Sequence, residues 1–378
     1  MKLQIVIQRS SKAVAALAAI FVTAFALMVQ SSDFRPATWI PGPHSQGARN
    51  EDLSGARPVA QEILSGPEDV AVDSRGRVFT GTVDGIIWRA DLTAGTPRFE
   101  RFAFVGGRPL GLVIGANDLL YVANHGMGLQ AVSPDGEVSS LLTEVAGTPI
   151  LFANDLAMDV DGIIYLSDSS SRYNVSTIGV QGTYGVPDLL EGRPFGRVIR
   201  FDTRSGVASV LATGLYFPNG IAISRDSRSI VVAETNRYRL SRIWLDAPRT
   251  GERETLVDNL KGSADGLTGI GDGRMLLAAY HRSLVLDESV LPSWLMRHVV
   301  ARLPNSFFTR NAPDGFICVI DDHTGEVLQE FHGGTEEAAA PANAVLWNGE
   351  LFIGTLFASA VTRIELPIAL PFTQTSAN

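Results

Sequence analysis

GPEDVAVDSRGRVFTGT, from Gly66 to Thr82, reads as a polar loop, an apolar strand, a tight turn and a second apolar strand. The same order of parts returns as GRPLGLVIGANDLLYVANH from Gly107, FANDLAMDVDGIIYLSDSS from Phe152 and FPNGIAISRDSRSIVVAET from Phe217. It returns again as SADGLTGIGDGRMLLAAYH from Ser263 and PANAVLWNGELFIGTLFAS from Pro341. Units of about 40–50 residues, each worth about four strands, are the pattern of propeller blades. The chain is therefore expected to be an all-β, six-bladed β-propeller, with the longer intervals before Phe217 and Pro341 holding insertions. A propeller brings the same position of every blade to one central channel. Four repeats place Glu68, Asn154, Asn219 and Asp265 there. These two carboxylates and two amides form an all-oxygen set of the kind Ca²⁺ takes, without the His and Cys that zinc draws. The alternative is that they only hydrogen-bond along a water-filled channel.

Turn chemistry agrees with the strands. Asp84-Gly85, Asp135-Gly136, Asp161-Gly162, Asp272-Gly273 and Asn348-Gly349 each separate apolar runs. Arg57 to Leu64 is placed to add a strand to the last blade, which would remove an open sheet edge. The propeller is expected over residues 56–368. Pro367 and Pro371 keep the tail, 369–378, from being a strand. Leu291 to Leu303 breaks the alternation. Its apolar residues Leu291, Trp294, Leu295, Val299 and Leu303 have helical spacing, with Arg297, His298 and Arg302 on or near the other face. This short helical insertion in the fifth blade is a lid over the channel, a membrane-touching surface, or a helix packed on the propeller's side.

The 378 residues carry a net charge of −9, which argues against a nucleic-acid partner, since phosphate binding needs clustered Lys and Arg. The single cysteine, Cys318, excludes an intrachain disulfide and sits in an apolar run, as a small buried hydrophobe would. Ala13 to Ser32 is uncharged and mostly apolar, and Lys2, Arg9 and Lys12 precede it. About 20 such residues span a bilayer, with the basic side cytoplasmic. Residues 1–32 are accordingly expected to be a transmembrane anchor, residues 33–55 a stalk, and the propeller to lie on the non-cytoplasmic side. The rival reading is secretion after cleavage of a signal peptide, since Ala24-Phe25-Ala26 fits the small-x-small rule.

GPED, FANDLAMDVDGIIYLSDSSSRY, GLYFPNGIAIS and VVAETNRYRLSRIWL resemble segments of one superfamily. It comprises the strictosidine-synthase-like proteins, the adipocyte plasma membrane-associated proteins, the gluconolactonases and the paraoxonases. The resemblance is greatest to the adipocyte plasma membrane-associated proteins, which also have an N-terminal anchor. It implies a six-bladed propeller with a Ca²⁺ in the channel, its ligands falling at Glu68, Asn154, Asn219 and Asp265. The second repeat offers Leu110 there, which is no ligand.

The same resemblance points to an ester or lactone as a small-molecule substrate. A channel Ca²⁺ polarises a carbonyl, and a base must activate water. His125 and His281 match histidine positions of paraoxonases, and each ends a central strand. A further paraoxonase histidine falls near Leu110 and is absent. Asp155, next to Asn154, is an alternative base. Strictosidine synthases use a last-blade glutamate, and that position is Ala342 or Asn343 here, so condensation chemistry does not carry over. Asp168 and Glu234 recur at one blade position and are expected to cap strands or to pair with Arg172 and Arg237. Trp88, Trp244 and Trp347 are expected in the core. The competing reading is a non-catalytic binding propeller with a structural Ca²⁺.

Overall fold

The computed structural model describes residues 23 and 25–365, except 46–48, 61, 63, 116–117, 175–184, 305–313, 335–337 and 339. Most of the expected anchor and the whole expected tail lie outside them. Residues 25–30 are helical. Among the described residues no helix is long and apolar enough to cross a membrane.

Six four-stranded antiparallel sheets form the expected six blades. Their first strands are Val70–Val72, Arg108–Ile114, Ala153–Met158, Pro218–Ile223, Gly262–Gly271 and Pro341–Trp347. Each touches the first strand of the next blade, and the last returns to the first, so the ring is closed. The closing strand is the expected N-terminal one. Arg57–Pro58 pairs against Thr362–Glu365 of blade 6, and Val59 N continues the contact to Val361 O at 2.9 Å.

The apolar core lies between blades. Ile87, Val122 and Leu112 fill the layer between blades 1 and 2, and Leu277, Phe316 and Leu240 that between blades 4 and 5. Cys318 belongs to the latter layer, where burial holds its thiol protonated. Trp88 and Trp347 pack against the layer between blades 6 and 1, as expected. Two of the predicted turns need both central residues at positive φ. These are Asp272-Gly273 (51° and 75°) and Asn348-Gly349 (46° and 87°), which Asp or Asn followed by Gly allows.

The second strand of each blade runs back beside the first. His125 pairs with Arg108, Asp168 with Ala153, Glu234 with Pro218 and His281 with Gly262. Connections from second to third strands therefore emerge at the channel end where the four candidate ligands sit. The two long insertions use this end. One, in blade 3, carries helix α1 (Val186–Glu191). The other, in blade 5, carries a π-type turn, Leu286–Val290, and helix α2 (Trp294–Val300). The helices meet, as Arg297 donates to the carbonyls of Leu190 at 2.9 Å and Leu189 at 3.3 Å.

The segment read as a stalk is held down on this end of the propeller. Ala37 N donates to Glu191 O at 2.9 Å, the Trp39 ring meets Tyr238 tilted at 5.4 Å, and His44 Nε2 lies 2.9 Å from Asp287 Oδ2. Arg282 Nη2 donates to Gly42 O and Asn50 Nδ2 to Glu330 O, both at 2.8 Å. Its contacts run along this end past blades 3, 4 and 5 before the chain joins blade 6, as a strap.

The orientation of α2 departs from the expectation. Arg297 and His298, expected on the outer side, are buried (0% and 1% exposed), while Trp294 and Leu295 are 48% and 51% exposed. The cause lies in backbone polar groups. The last carbonyls of α1 have no intrahelical partner and are buried, so they need donors. Arg297 supplies them, and also donates to Leu291 O at 2.7 Å.

Candidate functional site

Glu68, Asn154, Asn219 and Asp265 are all buried at the start of the first strands of blades 1, 3, 4 and 5. Asn219 Nδ2 donates to Asp265 Oδ1, and the charges of Glu68 and Asp265 act on each other. Asn154 Nδ2 donates to Ser169 Oγ at 2.9 Å, and Ser169 Oγ to Pro218 O at 2.6 Å. Burial raises the Glu68 carboxyl to about 8, against the opposing pull of Arg108 and with a further push from Asp265. Burial raises Asp265 to about 7, with Tyr280 and Asn219 opposing. Asp265 Oδ2 is buried, with the Tyr280 phenol facing it.

Two neighbours were not singled out from the sequence. Arg108 is fully buried, its Nη2 3.4 Å from Glu68 Oε2 and 2.9 Å from Gly66 O. Tyr280 faces Asp265 from the second strand of blade 5, and burial raises its phenol. Arg108 begins the second-repeat strand, two residues before Leu110, where the motif holds no ligand. It lies off the repeated position, so the repeat does not mark it.

The residue after each ligand position builds a second ring that ties blades together. In order these residues are Asp69, Gly111, Asp155, Gly220, Gly266 and Asn343. Asp69 Oδ2 accepts from Leu112 N of blade 2 at 2.6 Å, and Asp155 Oδ2 from Ile221 N of blade 4 at 3.0 Å. Asn343 donates to Asp69 and accepts from Thr268 of blade 5 at 2.9 Å. A side chain at Gly266 would put its Cβ 2.6 Å from Ala342 O, so the backbones approach too closely there for anything but glycine. Both oxygens of Asp155 are thus occupied, the other by Leu156 N at 2.8 Å. Burial, and then Asp69, raise its carboxyl well above the usual range. Asp69 is raised by burial to about 7.

His125 is fully buried at the mouth, its ring stacked on Phe152 at 3.8 Å, with Phe217 5.1 Å beyond. Burial, then Arg108, lower its imidazole to about 4. His281 is partly exposed, beside Phe316 at 4.9 Å and His332 at 5.7 Å, with Asp314 Oδ2 3.7 Å from Nε2. Burial, then Arg49, lower its pKa too. The two histidines stand on blades 2 and 5, opposite each other in a six-membered ring, so the fold does not bring them together. Asp168 and Glu234 are structural and each accepts a backbone amide at a strand entry, but their arginine partners differ from the expected Arg172 and Arg237. Asp168 pairs with Arg197 at 2.8 Å and accepts from Phe152 N at 2.9 Å. Glu234 accepts from Arg239 at 2.9 Å and Tyr216 N at 2.8 Å.

The donor chemistry fits a hard divalent cation. Glu68, Asp69, Asp155 and Asp265 are buried within electrostatic reach of one another, and Arg108 acts on Glu68 as a single positive charge. Carboxylates so placed are either protonated or met by a cation. Among the described residues no three His, Cys, Asp or Glu side chains converge on one point. The candidate set has only two such residues, completed by two amide carbonyls, which Ca²⁺ accepts and zinc does not prefer.

Comparison with known proteins agrees with this architecture. A profile of strictosidine synthase matches residues 154–248, and one of the strictosidine synthase-like N-terminal region matches 42–90. Protein STRICTOSIDINE SYNTHASE-LIKE 7 of Arabidopsis thaliana is 32% identical over 325 residues, covering 84% of this chain and 83% of its own. Adipocyte plasma membrane-associated protein of Danio rerio is 29% identical over 338 residues, 84% and 79% of the two chains. Among solved structures, a gluconolactonase from Xanthomonas campestris superposes with a TM-score of 0.59 at 16% identity, covering 88% of this chain and 97% of its own. Regucalcin from Agrobacterium tumefaciens, a calcium-binding protein, superposes at 0.56 and 14% identity, covering 84% and 96%. At these identities the two structures establish the shared fold.

Proposed function

The chain belongs to the strictosidine synthase-like family, and from that premise we propose that it is a membrane-anchored, Ca²⁺-dependent hydrolase of esters or lactones. The observation that carries this reading is the excess of buried carboxylate over buried cation where four blades converge. Glu68 and Asp265 would hold the ion by charge. Asn154 and Asn219 would hold it by their carbonyl oxygens, their amide nitrogens being spent on Ser169 and Asp265. When bound, Ca²⁺ supplies polarisation of an ester or lactone carbonyl and stabilisation of its oxyanion.

The base in this reading is His125. Its lowered pKa keeps the imidazole neutral, so it can take a proton from an attacking water. Arg108 opposes that protonation and holds Glu68 in place. Asp155 serves as a positioning residue, since its Oδ2 accepts from Ile221 N and ties the strand that carries Asn154 to blade 4. His281, across the ring, would act as an independent base at the rim. The fold of a gluconolactonase and of a calcium-binding regucalcin supports the assignment, and the family's plasma membrane-associated members support the anchor.

A second reading has its own observation. His125 and Arg108 are fully buried, and the strap and both insertions lie at the mouth. These favour a non-catalytic propeller in which Ca²⁺ pins the blades. Condensation of the strictosidine type is not proposed. Ala342 is apolar, and Asn343 is committed to Asp69 and Thr268.

The test is arylester and lactone hydrolysis by the purified full chain, with and without EGTA, beside Asp265→Asn. Activity lost in both cases with the fold retained supports the hydrolase. Absence of turnover together with Ca²⁺-dependent thermal stabilisation supports the binding propeller.

A further inference from the structure

The exposed apolar side chains are not spread evenly over the propeller. Leu284, Val285, Leu295, Met296 and Val299, all in the blade 5 insertion, are exposed, and so is Trp294. Ile40 of the strap, Met127 of blade 2 and Phe357 of blade 6 join them at the same end. A soluble surface seldom gathers so many. The orientation of α2 is responsible. Arg297 and His298 are drawn inward, which turns an otherwise ordinary apolar stripe out.

The apolar N-terminal segment ends on this patch. Phe25 lies under Arg302, 6.0 Å from its guanidinium carbon. Val29, Gln30 and Phe34 line one side of a cleft of about 370 Å³, and Trp294 and His298 line the other. Phe34 meets His298 edge-on at 5.2 Å. Leu27 and Met28 point outward. From residue 35 the strap is already hydrogen-bonded to α1, through Arg35 N to Glu191 at 2.9 Å. Nothing of the kind expected of a stalk separates the uncharged run from the mouth. Arg35 and Arg193 are exposed beside the cleft, where cationic side chains meet lipid headgroups.

We infer that the propeller sits mouth-down on the bilayer, with Trp294, Leu295, Met296 and Val299 of α2 immersed in the interfacial layer. The occupant of the patch is lipid. The strap fixes this pose, because a chain leaving the membrane near Ser32 has no slack to turn the ring over. A substrate would then reach the channel from the membrane side, which suits an apolar ester or lactone better than a polar one. The inference rests on the anchored reading proposed above.

The test uses the full chain in phosphatidylcholine–phosphatidylglycerol vesicles, with a nitroxide at Leu295→Cys. A second label at Val160→Cys, 96% exposed at the opposite end of blade 3, is the control. Cys318 is buried and does not compete for the label. Oxygen and nickel-chelate collision rates should place the label at 295 about 5–10 Å below the headgroups, and that at 160 in water. A label at 295 as aqueous as at 160, on chain that resists carbonate extraction, overturns the docking and leaves the anchor standing. The same aqueous label on chain that washes off overturns both. Dipolar broadening between 295 labels on two copies, in detergent as well as in lipid, overturns it in favour of a dimer face.

Discussion

Removing Ca²⁺ should make this protein's stability fall as pH rises, which is the reverse of what paired carboxylates do. Glu68 titrates near 8 in the folded chain against 4.5 for an ordinary glutamate. Between those values the folded state holds a proton that the unfolded state has lost. Stability therefore declines with rising pH through the window from about 4.5 to 8, and levels off above it. Each pH unit inside the window is worth up to about 1.4 kcal/mol per group. From pH 5.5 to 7.5 Glu68 alone contributes a loss of about 2–3 kcal/mol. Asp265, raised to about 7, adds to it in the same direction. At roughly 2 °C per kcal/mol for a large domain, Glu68 alone should lower the melting temperature in EGTA by roughly 5 °C between those two pH values. Excess Ca²⁺ should abolish the slope, because the ion favours the ionised carboxylates. Thermal unfolding followed by circular dichroism, for wild type and Glu68→Gln, reads all four conditions. Glu68→Gln in EGTA should make the slope shallower, leaving the part that Asp265 contributes. An EGTA curve that is flat for the wild type, or a slope that Glu68→Gln leaves unchanged, would refute the burial argument.

Three further predictions follow from single contacts. His125→Gln should lower kcat for lactone or ester hydrolysis by about 10²–10⁴-fold while leaving Ca²⁺ stabilisation intact. In the wild type, activity should rise through about pH 4 and then stay level, since the base must be unprotonated and titrates near 4. Arg297→Met should cost about 3 kcal/mol, because it strips donors from buried carbonyls at the end of α1. It should show as a lowered melting temperature and faster proteolysis within residues 291–304. Asp155→Ala should destabilise by about 1–3 kcal/mol through the two backbone amides it leaves unpaired, and Asp155→Asn by less. Equal losses for the two would show that the amides are not what Asp155 satisfies.

The fold was legible in the sequence because it repeats. Six copies of loop–strand–turn–strand leave little choice of architecture, and the Asp-Gly and Asn-Gly pairs mark turns through backbone sterics alone. The burial of Glu68, Asn154, Asn219 and Asp265 at the starts of their blades was legible for the same reason, since one place in each repeat must reach the axis. What lay off that place was not. Arg108 reaches the channel from two residues away, and Asp155 turns out to be tied to the Ile221 amide of the next blade. Asp168 and Glu234 were legible as structural, but with Arg197 and Arg239 as partners. The registers of the second and third strands decide that, and sequence proximity had pointed to Arg172 and Arg237.

The sequence by itself therefore determined the number of blades, the closing strand, the core layers and the oxygen donors at the axis. Each follows from local periodicity, which short-range sterics and burial enforce residue by residue. Tertiary structure alone decided the strap along the mouth end, the separation of His125 from His281, and the inverted helix α2. Those depend on where buried backbone carbonyls and carboxylates find their donors. Such partners lie as many as 108 residues apart for Arg297 and 240 for Arg282, and no periodicity in the chain records that distance.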